Sequence, residues 1–258
     1  MLGWFRERRR RRVMGEPLPA EWWSIVDRRC PVIAGLTGGQ RDRLGGIVRV
    51  LLDEKHFEGC GGLKMTDEVR VTIAAQAALL VLGRPGSYYP TLRSILVYPD
   101  AYQVWTQEED EIGIVTEGMD ERLGEAWDGG TVVLSWADVV RGGGDEDDGS
   151  NVVLHEFAHL LDGEEGDMNG APLLSGRAGY DRWAEVFMRE YKGLVRDVRK
   201  GRPSVLDPYG AEHPAEFFAV ATEVFFERPG AMRKRHPELF EVMRGFYGWV
   251  PGEDEKED

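Results

Sequence analysis

A chain of 258 residues with 42% hydrophobic content can build a substantial core, as one large domain or two small ones. A net charge of −14 sets an acidic surface against any phosphate backbone and so argues against direct, general nucleic-acid binding. The longest apolar run, residues 73–82, is interrupted by Gln76 and falls well short of the roughly 20 residues that a membrane span requires.

Residues 1–18 read as a flexible basic arm ending at Pro17 and Pro19, with six arginines between positions 6 and 12. The basic start has no apolar stretch behind it, so no secretory or twin-arginine signal is recognised and the cytoplasm is expected. A helix begins at Ala20, and residues 37–57 suggest a second, with Leu44, Ile47, Val48, Leu51 and Leu52 at helical spacing. Thr66 can cap a helix that runs to Leu82 and is stopped by Gly83 and Pro85. Three short β-branched runs follow, at 94–99, 112–118 and 131–136, and suggest a small mixed sheet. From residue 150 the pattern is helical again, over 151–162, about 180–200, 214–228 and 236–248. The simplest account is one compact α+β domain over residues 19–250 with a mostly helical C-terminal half, followed by an acidic tail over 251–258. Cys30 and Cys60 form no disulfide framework and lack the paired spacing of a structural zinc site, so both are expected to be reduced.

The segment NVVLHEFAHLLDGEEGDMNG (151–170) places two of the five histidines four residues apart. At about 100° per residue, with His155 at zero, His159 lies near 40° and Asp162 near 340°, so the three share one face. Phe157, Leu160 and Leu161 fall on other faces, and Ser150 is the expected N-cap. Two imidazoles one turn apart can reach a single zinc ion, and Glu156, beside them, can receive a proton from the attacking water. So short a pattern also arises by accident, and a buried histidine pair without metal is the competing reading.

A catalytic zinc site needs a third protein ligand. His213 and His236 have no compelling setting, whereas Glu216 and Glu223 lie seven apart in the strongly apolar stretch 214–228, where a carboxylate is costly unless something positive faces it. A plain surface stripe of two acids is the alternative. Glu216 is preferred as the ligand because it lies in the first helical turn, where the dipole favours an anion. Glu223 or Asp162 could then accept the free ring N–H of a ligating histidine.

The segments VVLHEFAHLLDGEEGDMNGAP and YGAEHPAEFFAVATEVFFERP, with ILVYP and GTVVLSW before them, resemble the Mlc titration factor A family of zinc-dependent peptidases over about residues 20–250. That resemblance implies a zincin-like fold of the gluzincin type, similar to the catalytic domain of anthrax lethal factor, and a peptidase or aminopeptidase-like activity on a peptide or protein substrate. It implies Zn2+ held by His155, His159 and Glu216, with Glu156 as general base and Tyr209 as a further catalytic group stabilising the oxyanion. The strand at 131–136 could align an extended peptide by edge pairing. The family is named for binding a repressor of sugar-uptake genes, so a regulatory protein that sequesters a transcription factor, with a weak or vestigial zinc site, is the alternative function. A monomer is expected.

Overall fold

The structure is a computed structural model. It describes all residues except 1, 85, 101, 110–114, 123, 128–129, 145–148, 167, 175 and 253–258, and for 2–3, 102–127 and 165 it describes the backbone alone. Most of the acidic tail expected over 251–258 therefore lies outside the described residues.

The basic start, expected as a flexible arm, is helical in the structure. Leu2–Met14 forms helix α1, because arginine is a good helix former and three of the six arginines meet acid on one face. Its partner is α3, Gly38–Glu54, whose last residues Asp53 and Glu54 add negative charge where the helix dipole is already negative. Arg9 pairs with Asp53 at 2.7 Å, Arg6 with Glu54 at 2.8 Å, and the buried Arg10 with Glu54 at 2.6 Å. Burial would raise the Glu54 pKa, but hydrogen bonds from Arg10 and Arg6 outweigh it and hold the carboxyl at about 2. A depressed carboxyl stabilises the fold above its ordinary value near 4.5, and that contribution disappears as the pH falls towards about 2, so acidification should release α1. Glu54→Gln should do the same at neutral pH, since stranding one partner of a buried pair costs about 3 kcal/mol or more. Hydrogen exchange of the α1 amides should then accelerate on the order of a hundredfold. Unchanged protection would show that the pair does not hold the helix.

Between these helices lies α2, Ala20–Arg29. Helix α3 starts on a capping box, with the Gln40 amide donating to the Thr37 hydroxyl and the Thr37 amide donating to the Gln40 side chain. It stops at Glu54, three residues short of the expected 57, and His56–Gly59 is instead strand β1. Thr66 caps α4, Asp67–Leu80, with Asp67 and Glu68 in the first turn; from Val71 to Leu80 every residue is buried, so this helix is the centre of the core.

Strand β2 is Ser94–Tyr98. A separate antiparallel hairpin joins β3, Tyr102–Glu109, to β4, Val115–Arg122; of the strand expected at 112–118, residues 112–114 lie outside the described residues. The main sheet is completed by β5, Gly124–Trp127, and β6, Thr131–Ser135, in the order β1-β2-β6-β5. Strands β1, β2 and β6 are parallel and β5 is antiparallel to β6, which makes the sheet small and mixed, as read from the sequence.

The remaining chain is helical: α5, Trp136–Gly144; α6, Val152–Asp162; α7, Gly176–Arg199; α8, Pro214–Glu227; α9, Pro229–Arg235; and α10, Pro237–Tyr247. Helix α6 packs between α4 and α8, in contact with the sheet. Phe217, Phe218, Phe225 and Phe226 of α8 are fully buried with Phe187 and Trp183 of α7 and Tyr247 of α10. This aromatic wall fixes α8, and so the position of any polar side chain that α8 turns towards α6. Among the described residues no helix is long and apolar enough to cross a membrane.

Candidate metal centre

Helix α6 is anchored by Phe157, Leu160 and Leu161, all buried, which leaves His155, Glu156 and His159 turned towards α8 and the turn before it. Its cap is Asn151 rather than Ser150: the Asn151 side-chain oxygen accepts from the amides of Val153 and Leu154, both at 3.1 Å. Both residue types suit an N-cap, and the helix begins one residue later than expected. On the facing side, His213 caps α8 by accepting from the Ala215 amide, with Pro214 opening the first turn. Glu216 therefore lies in the first turn, where the dipole favours its charge.

The two helices bring three donor atoms together. The Nε2 atoms of His155 and His159 are 3.2 Å apart, and a Glu216 carboxylate oxygen is 3.0 Å from the first and 3.4 Å from the second. On the other side of the His155 ring, Nδ1 is 2.5 Å from a Glu223 oxygen, and the second Glu223 oxygen accepts from the Asn151 amide at 2.9 Å. Glu223 therefore joins α8 to the cap of α6 and holds the His155 ring by its Nδ1–H, which turns the Nε2 lone pair towards His159 and Glu216. Asp162 does not fill that place. One of its oxygens accepts from the Gly170 amide at 2.7 Å, while its other oxygen and Nδ1 of His159 are buried without a hydrogen-bond partner among the described residues.

Three lone-pair donors facing one another at 3.0–3.4 Å repel unless a cation lies between them. Tetrahedral zinc with bonds of about 2.05 Å requires its ligands to stand roughly 3.3 Å apart, so the donor set fits a metal in both spacing and chemistry. The electrostatics agree. Burial lowers the pKa of His155, but hydrogen bonds accepted by the Glu216 and Glu223 carboxylates overcome it and raise the value well above ordinary; the same demand for positive charge suits a dication. Burial would raise the Glu216 pKa, but His155 and His159 hold it far below the usual carboxylate range. Glu156 and Glu223 are buried and their pKa values rise, chiefly by desolvation. Glu156 makes no hydrogen bond to another described residue, which leaves its carboxylate available. Tyr209 lies in the turn Pro208–Ala211, half-exposed, with its ring centroid 6.0 Å from that of His155. Its amide is held by the Asp207 side chain at 2.8 Å.

Of the residues expected at a site, His155, His159 and Glu216 converge, Glu156 and Tyr209 flank them, and Glu223 rather than Asp162 supports a histidine. Asn151 was not anticipated; an asparagine directly before an apolar helical run was its signal in the sequence.

Two helix-borne histidines and a glutamate from a second helix, beside a buried glutamate that makes no hydrogen bond among the described residues, are what a metallopeptidase-like domain would carry, here mostly helical around a small sheet. The family model described as glucose-regulated metallo-peptidase M90 matches residues 4–248, and the chain belongs to that family. The match includes α1, so it begins well before residue 20. A protein of Synechocystis named uncharacterized protein slr2042 is 42% identical over 244 residues, covering 94% of this chain and 89% of its own. Mlc titration factor A of Cronobacter sakazakii is 31% identical over 240 residues, 91% of this chain and 87% of that one. Mlc titration factor A of Yersinia pestis is 30% identical over 237 residues, 90% and 85% of the two chains.

Proposed function

We propose that the chain is a zinc-dependent peptidase of the gluzincin type, with aminopeptidase-like action on peptides. The observation that carries this reading is the convergence of His155, His159 and Glu216, with Glu156 buried beside them and making no hydrogen bond among the described residues. Zinc bound by those three residues would supply a Lewis acid, one that brings the pKa of a coordinated water down towards about 7 and polarises a carbonyl. Glu156 is placed to take a proton from the attacking water and return it to the leaving amine, and its raised pKa suits a group that must both accept and release it. Tyr209, half-exposed with its ring beside that of His155, is assigned to hydrogen-bond the oxyanion of the tetrahedral species through its hydroxyl. A pure metal-storage site would have no use for Glu156.

One sequence-based expectation changes here. Strand β6 is paired on both sides, with β2 and β5, and cannot add a peptide by edge pairing. The backbone edge beside it belongs to β5, which also contacts α6, and we assign to β5 the alignment of an extended substrate.

A second reading rests on the name Mlc titration factor A carried by relatives at 31% and 30% identity: the chain would bind a transcriptional repressor, alone or together with peptidase action. We place the protein in the cytoplasm as a monomer, in keeping with its two free cysteines. To test the peptidase reading, a peptide mixture is incubated with zinc-loaded chain, with chelator-treated chain and with the treated chain after zinc is restored. Cleavage in the first and third arms alone is expected; cleavage that survives complete metal removal would overturn it.

A further inference from the structure

The outer face of α1 is unlike the rest of the molecule. Arg6, Arg9 and Arg10 are neutralised against Asp53 and Glu54 on the inner face, where Val13 is also buried. At about 100° per residue, with Arg10 at zero, Trp4, Phe5, Arg8, Arg11 and Arg12 fall between about 100° and 220°, on the side turned away from α3. The one acid of the helix, Glu7, lies near 60°, at the edge of that face, where it pairs with Arg10 at 3.3 Å. Trp4 is 61% and Phe5 60% exposed; they pack edge to face at 5.1 Å, and the Arg8 guanidinium lies over the Trp4 ring at 5.6 Å. Arg8, Arg11 and Arg12 are exposed and form no ion pair among the described residues. An acidic protein of net charge −14 thus presents, on one docked helix, a convex strip of two aromatic rings and three unneutralised arginines.

We propose that this strip is a peripheral docking surface for an anionic lipid bilayer. The charge is complementary to phosphate headgroups, which arginine meets bidentately, and Trp and Phe side chains exposed beside it suit the boundary between headgroup and acyl chain. A convex helix face lies into a bilayer plane without needing a partner pocket. A single-stranded nucleic acid fits less well, because Arg8 already lies over the Trp4 ring and the edge-to-face packing of Trp4 and Phe5 offers no pair of parallel rings for successive stacked bases. The acid elsewhere on the protein acts weakly beyond a Debye length of about 8–10 Å, so contact through α1 alone is tolerated.

The test is co-sedimentation of the full chain with vesicles of phosphatidylcholine alone and with phosphatidylglycerol added. Binding is expected only to the second, weakening as salt rises. Each arginine near an anionic surface contributes about fivefold, so Arg8→Gln, Arg11→Gln and Arg12→Gln together should weaken binding on the order of a hundredfold. Trp4→Ser with Phe5→Ser should weaken it further, whereas Arg177→Gln, which alters a 94% exposed arginine on α7, should leave it unchanged. All these residues are exposed, so folding is not at stake. No binding to the anionic vesicles, equal binding to both, parent-like binding by the triple arginine variant, or binding to single-stranded RNA in place of vesicles would each overturn the proposal.

Discussion

Glu216→Gln is expected to abolish tight zinc binding, whereas Glu223→Gln should weaken it by about 10- to 100-fold. The two glutamates lie seven residues apart on α8 and both reach His155, but they meet opposite edges of its ring. Glu216 faces the Nε2 atoms of both histidines, at 3.0 and 3.4 Å, so its replacement removes a charged donor from the group of three. Glu223 faces Nδ1 and the Asn151 amide, so a glutamine there still accepts from the ring N–H and costs orientation and charge rather than a ligand. Titrating both variants with zinc at one fixed pH separates the roles, since proton competition for the ligands also moves apparent affinity. If Glu223→Gln abolishes binding while Glu216→Gln retains it, the assignments must be exchanged.

Glu156→Gln should keep the metal and the fold yet lower turnover by about a hundredfold to ten-thousandfold, the usual range for a positioned general base. Glutamine preserves the shape of a side chain buried between α6 and the site while removing the proton acceptor. Glu156 makes no hydrogen bond to another described residue, so the substitution breaks no structural contact that would confuse the result. Parent-like turnover in a zinc-loaded variant would remove Glu156 from the chemistry.

Much of this site was legible in the sequence because helical periodicity is local. A spacing of four from His155 to His159 puts both rings on one face of any helix, and Pro214 with Glu216 in the first turn located the third donor. The Thr66 cap and the uniformly apolar α4 were readable for the same reason. What depends on partners distant in the chain was not. Arg10 in a run of arginines looks solvated until Glu54, 44 residues away, is placed against it. Strand β1 is four residues of half-exposed chain at the end of a helix, too short to show a period of two. That β6 is interior follows from strand order, which no property of Thr131–Ser135 encodes. Asp162 and Glu223 were equivalent as carboxylates near the histidines, and only packing decided that Asp162 turns to the Gly170 amide.

The most direct test of the account is anomalous diffraction at the zinc edge from crystals of the zinc-loaded chain. One peak per chain is predicted, within about 2.0–2.2 Å of Nε2 of His155, Nε2 of His159 and an oxygen of Glu216. A peak coordinated by other residues, or none between α6 and α8 in crystals whose protein retains stoichiometric zinc, would contradict it.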